Sequence, residues 1–186
     1  MNTMSFIVWM LPVIFMLHDF EEIIMVEVWG KRYQKAIDST WPKRPPFGLN
    51  YVSTYQTPTF SIAVEIEFLL FSLISLFSVI FQNYFLWYGA FLGVTLHMIF
   101  IHMLVCIPFK HYVPGVITSI IFLLPSVWFL YSAKQLLHYN VNTILSACLL
   151  GIALTIVALP ALHKLMGPLS KRLAKYSKTP ENKIQA

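Results

Sequence analysis

Charge is what this sequence has least of. Only 11% of its 186 residues are Asp, Glu, Lys or Arg, against about 25% in an ordinary soluble domain. That shortage excludes a water-soluble surface. Cysteine is nearly absent too: Cys106 and Cys148 both fall inside apolar stretches, read as small apolar residues and define no disulfide framework. Phosphate-cradling and base-reading motifs are missing, so the net charge of +5 does not point to nucleic acid. The short alternating segments of a transmembrane β-barrel are missing as well. No Lys or Arg precedes the first apolar run, and no small-residue cleavage site follows it, so it reads as a retained segment and not a cleaved signal.

What is present is apolar length: 58% of the residues are hydrophobic. A helix rising ~1.5 Å per residue needs about 20 apolar residues to cross ~30 Å of hydrocarbon. Five stretches qualify: Ser5 to Trp29, Pro58 to Phe81, Tyr84 to Ile107, Val113 to Ala133, and Val141 to His163. The fold class is therefore all-α, a polytopic bundle of about five transmembrane helices. Gln82 and Asn83 join the second and third so tightly that the two form an antiparallel pair. Gly30 to Thr57 is expected to be a long connection, with Trp41-Pro42-Lys43-Arg44-Pro45-Pro46 near the headgroups. One membrane-embedded domain is expected over 1–176, with a flexible basic tail over 177–186.

Lys31, Arg32, Lys35, Lys43 and Arg44 in the first connection share a side with Lys110 and with Lys164, Lys171, Arg172, Lys175, Lys178 and Lys183, whereas Lys134 stands alone opposite. The positive-inside rule then places the N-terminus outside and the C-terminus in the cytoplasm.

Ionisable residues inside the apolar runs carry the functional reading. His18, Glu21 and Glu22 lie at i, i+3 and i+4, within about 100° of one another on the helix surface; Asp19 is rotated about 100° from His18. Each such residue costs about 2.5 to 3.5 kcal/mol at a spanning helix's centre. By residue counting, Glu21, Glu22, Glu65, Glu67, His97, His102 and Thr118 fall in one slab roughly 10 Å deep toward the basic-loop side. Glu65 and Glu67 point about 200° apart, so one of them can face the triad, and Glu65 is the expected one.

Carboxylates and imidazoles converging in a dry site are a ligand shell for a divalent metal, Zn or Fe. The expected metal ligands are His18, Glu21, Glu22, Glu65, His97 and His102; Glu21, Glu22 and Tyr112 are the candidate catalytic groups, Tyr112 as a hydroxyl at the mouth of the slab. Pro114 and Gly115 mark a turn before the fourth helix, with Gly115 allowing close backbone approach.

His18-x-x-Glu21-Glu22 in a first transmembrane helix, with His102 and Tyr112-x-Pro114-Gly115-x-x-Thr118 downstream, resembles the HXXEE-domain family of bacterial integral membrane proteins over nearly the whole chain. The resemblance implies a location in the bacterial inner membrane and no established reaction. The family pattern has Asn four residues before the third-helix histidine, where Met98 stands here, so either His97 or His102 is the operative one. Three functions stay open: a metal-dependent enzyme acting on a lipid or other apolar substrate; a small proton- or metal-coupled transporter; and a binding or immunity-type membrane protein. Expected partners are membrane lipids and an apolar small molecule, with a homodimer an open alternative.

Overall fold

In a computed structural model, residues 3–43 and 57–177 are described. Among them are five long helices: α1 Thr3–Thr40, α2 Thr57–Phe81, α3 Phe85–Phe109, α4 Val116–Leu137 and α5 Val141–Tyr176. All five are long and apolar enough to cross a membrane, which makes the chain a multi-pass membrane protein with an all-α fold. The most extensive helix pairs are α3 on α5 and α1 on α2, followed by α4 on α3 and then α4 on α1.

Two helices are longer than the apolar runs within them. At ~1.5 Å per residue, the 38 residues of α1 and the 36 of α5 far exceed the ~30 Å that a span requires. The expected connection from Gly30 is thus corrected: residues 30–40 continue α1. They contain no proline, Lys31 Nζ donates to Glu27 at 2.6 Å one turn back, and Trp29, Tyr33 and Ile37 pack against Val105, Phe109 and Val113. Trp41 stacks on Phe109 with centroids 5.3 Å apart. Arg44, Pro45 and Pro46 lie outside the described residues. So does the tail beyond residue 177, and α5 runs past the expected His163 to Tyr176.

Hydrophobicity wraps α1 all round, as suits a helix facing both core and lipid. Leu11, Ile14, Phe15, His18 and Val26 are buried on one side, while Val13, Leu17, Phe20, Ile24 and Val28 stay exposed on the other. Pro12 lies inside this helix and has no N–H to give the carbonyl four residues back. That carbonyl belongs to Val8, and two neighbours satisfy it instead: Trp87 Nε1 of α3 donates at 2.8 Å and Ser75 Oγ of α2 at 3.1 Å. A defect in one helix thereby fastens three.

Helices α3 and α5 approach closely because glycines meet. A side chain at Gly151 would collide with the backbone of Gly89, and one at Gly89 would stand 2.8 Å from the Ala147 carbonyl oxygen. Small residues let backbones come together where lipid offers no hydrophobic drive for association.

The α3 helix is not uniform. Residues Met98–Met103 form a π-helical stretch, closed by the Leu104 N–H donating to the Ile99 carbonyl five residues back. Such single-turn widenings occur at functional sites, and this one starts just after His97 and contains His102.

Candidate metal centre

Helix α1 supplies His18 and Glu22, one turn apart and facing α3. Helix α3 supplies His97 and His102, whose spacing of five would put them about 140° apart on an α-helix. The π-helical closure between residues five apart turns both to one side. The Nε2 atoms of His102 and His97 stand 2.9 Å apart, and those of His102 and His18 3.2 Å apart. Glu22 Oε1 lies 3.1 Å from His102 Nε2 and 3.3 Å from His18 Nε2. One ligand atom from each of His18, Glu22, His97 and His102 falls within 4.8 Å of every other, a grouping that could hold a metal ion. Four atoms held tetrahedrally at the ~2.0–2.1 Å of a zinc site stand roughly 3.3 Å apart, close to the separations seen.

The outer hydrogen bonds decide which ring nitrogens carry protons. His102 Nδ1 is 2.7 Å from the Pro114 carbonyl oxygen, which can only accept, so Nδ1 donates and the neutral ring keeps a bare Nε2. Thr118 spends its single hydroxyl proton on Glu21 Oε2 at 2.6 Å. Its oxygen then accepts from His18 Nδ1 at 3.0 Å, which leaves His18 Nε2 bare as well. Two imidazole lone pairs and a carboxylate oxygen therefore face one another at 3.1 to 3.3 Å in a buried place. A donor or a cation must relieve that arrangement: His97 with its proton on Nε2 can serve His102 at 2.9 Å, and a metal ion would serve every one of these atoms. Carbonyl or hydroxyl support of the far ring nitrogen is the usual outer shell of a metal-bound histidine.

Gly115 makes the Pro114 contact attainable. Its φ is 84°, and a Cβ there would stand 2.7 Å from the His102 ring, so both the left-handed backbone and the close approach require glycine.

Glu21 was expected among the ligands and is placed elsewhere. Its carboxylate turns to the start of α4, accepting from Thr118 N at 2.8 Å, Ile117 N at 3.4 Å, Thr118 Oγ1 at 2.6 Å and Tyr112 Oη at 2.6 Å. The first N–H groups of a helix have no partners within it, and Gly115 at the N-cap has no side chain to offer them. Glu21 supplies the missing acceptor from another helix, and a negative charge suits that end of the α4 dipole.

Tyr112, expected at the mouth of the slab, is instead engaged with Glu21 and is not among the residues lining the cavity. Burial, and then the hydrogen bond to Glu21, raise its phenol above the ordinary range, so it remains a donor.

A cavity of 270 Å³ opens beside the four-residue group. Its walls are apolar, among them Phe15, Phe60, Phe71, Ile74 and Val94, and its polar lining includes His18, Glu22, His97 and His102 with Asp19 and Glu67. Glu65, the expected α2 ligand, is exposed on the outer side. Glu67 is the one that faces in, because Ala63, Val64 and Phe60 form the buried side of α2. Both histidines left as alternatives, His97 and His102, belong to the group. Asp19 is the residue that sequence reasoning passed over: it is buried because α1 is covered across a wide arc by α2 and α3 together.

No curated protein and no solved structure matches the chain. One family model does, over residues 9–130, which takes in His18, Glu21, Glu22, the whole of α2 and α3, and the turn into α4. The chain thus belongs to the HXXEE family, described as proteins of unknown function with an HXXEE motif.

Proposed function

We propose that this chain is a membrane-embedded, metal-dependent enzyme acting on a lipid or another apolar molecule, its ion held by His18, Glu22, His97 and His102. The observation that carries the reading is the convergence of bare imidazole Nε2 atoms on the Glu22 oxygen, with each ring's other nitrogen engaged by Pro114 or Thr118. Three imidazoles and a carboxylate suit Zn or non-haem Fe. A metal held so acts as a Lewis acid on a substrate oxygen or activates a water.

The cavity supports the substrate class. Leu70 and Leu86 line it while each remains 44% exposed on the outside of the bundle, so an apolar chain can enter from the bilayer without crossing water. A purified sample should contain tightly bound Zn or Fe by elemental analysis, and His18→Ala should lose it. A wild-type chain that holds neither metal, even after loading with both, defeats the reading.

The setting proposed is a bacterial inner membrane, N-terminus outside, with the site in its cytoplasmic half. The C-terminal ends of α1 and α5 share a side by the alternation of five crossings, and they carry Lys31, Arg32, Lys35, Lys164, Lys171, Arg172 and Lys175. A reporter active only in the cytoplasm should work when fused after residue 186 and fail when fused after Leu137.

A further inference from the structure

The cavity beside the four-residue group is long and narrow. Its lining runs from Phe15 to Trp29 on α1 and from Phe60 to Ile74 on α2. Each stretch covers fourteen steps of sequence, or ~21 Å at ~1.5 Å per residue. The helices are tied together just beyond both ends of it. Thr57 N donates to Glu27 Oε2 at 3.1 Å on one side, and Trp87 and Ser75 share the Val8 carbonyl on the other. Spread over that length, 270 Å³ leaves room for one extended chain and not two, since pockets for compact drug-sized ligands already run to about 300–1,000 Å³.

The metal-ligand atoms do not stand at an end of this slot. Past Glu22 the wall continues through Val26 to Trp29, ~10 Å further along α1. In the other direction Ala90 and Leu86 of α3 line it, and Leu86 lies ~16 Å before His97. A molecule that fills the cavity therefore carries apolar length on both sides of the histidines.

A charged headgroup finds nothing there to hold it. Among the described residues, no Lys or Arg lines the cavity, and phosphate is held by such side chains or by the free N–H groups of a helix N-terminus. The helix start beside the cavity is that of α4, and its Ile117 and Thr118 N–H groups already donate to Glu21.

Resting on the metal-dependent reading above, the geometry points to a substrate that is a single uncharged chain, seated lengthwise so that its reacting group lies in its interior and not at its end. A double bond within a chain, or an ester joining two apolar halves, meets the ligand atoms in that pose. A two-chain lipid lacks the room, and a phosphate headgroup lacks the donors.

The test uses the full chain in detergent, metal-loaded and incubated with oleyl alcohol or with oleyl phosphate, which share one chain and its interior double bond. Bound probe is counted by mass spectrometry after gel filtration, and metal is measured on the same samples. Oleyl alcohol should be retained stoichiometrically, and oleyl phosphate at least about tenfold less, the loss that one buried unpaired charge produces. Val26→Phe and Ala90→Phe narrow the slot on opposite sides of the histidines, so each should lower retention of oleyl alcohol while metal stays bound. Leu69→Phe, on the exposed side of α2, should change neither. Equal retention of the two probes, or a loss in only one of the two narrowed variants, overturns the lengthwise pose. A chain that holds metal but no oleyl alcohol overturns this inference alone, whereas one that holds oleyl alcohol but no metal overturns the metal centre. Photolabelling of the wild type needs no variant: a diazirine at mid-chain should mark residues beside His18 or His97, and one at the terminal methyl should mark an end of the slot, near Leu86 or near Trp29. Terminal labels beside the histidines overturn the pose.

Discussion

Replacing His102 with alanine is expected to lower metal affinity by well over the 10- to 100-fold that loss of an outer hydrogen-bond partner produces, whereas Thr118→Val should fall within about that range. His102 Nε2 is within 3.2 Å of His97, His18 and Glu22 alike, so its removal withdraws the atom common to three of the four close contacts. Thr118 touches the site only through the far nitrogen of His18 and through Glu21. Valine keeps the shape and abolishes both hydroxyl links while the backbone N–H still reaches Glu21, freeing the His18 ring to take either tautomer. The measurement is competition against a chelator of known affinity at fixed pH, because the ligands must be deprotonated to bind. Equal losses in the two variants, or none in His102→Ala, would mean that the imidazoles meet for some reason other than an ion.

Gly151→Val should produce the largest loss of stability. Even a methyl group at that position would run into the Gly89 backbone, and backbone cannot step aside as a flexible side chain can. Overpacking a tight contact costs about 1–3 kcal/mol, and valine in a backbone–backbone contact belongs at the upper end or past it. For a chain of this size that corresponds to a Tm about 6–12 °C lower. Gly151 and Gly93 also line the cavity, so the forced separation of α3 from α5 should loosen the wall behind His97 and weaken metal retention together with stability. Gly167→Ala is the matched control: nothing lies within 4 Å of a Cβ there, and replacing a helical glycine by alanine is expected to be neutral or to stabilise by up to about 1 kcal/mol. Equal Tm values for the two variants would disprove the close contact.

The membrane class, the number of spans and the convergence of acids and imidazoles were legible in the sequence because each rests on a strong, local signal. Apolar length marks a span, and i, i+4 spacing places His18 and Glu22 on one face. The parts that were not legible share a different cause. Which of Glu65 and Glu67 points inward depends on how α2 is rotated, and a helix with Leu69, Leu70 and Phe71 around its girth carries no polar stripe to announce that rotation. Asp19 looked misplaced because a single face was assumed for α1, when α2 and α3 together cover a wider arc. The helix ends were misread at Trp29 and His163 for one reason: hydropathy locates the edge of the bilayer, and a helix need not stop there. Glu21 fits the ligand spacing as well as Glu22 does, and only the bare N-terminus of α4, capped by a glycine, explains why it turns away.

The widened turn Met98–Met103 carries one residue more than the helix on either side of it would need. A chain can lose that surplus without disturbing Phe85–His97 on α5 or the aromatic cluster around Phe109. Excision of one residue between the histidines would let the turn relax to α geometry with His97 and His102 four apart, about 40° from each other on the helix surface, so both would still face one side. The centre is therefore written partly in chain length: a spacing of five fits it only through the widened turn, and α geometry at that spacing would set the two rings about 140° apart.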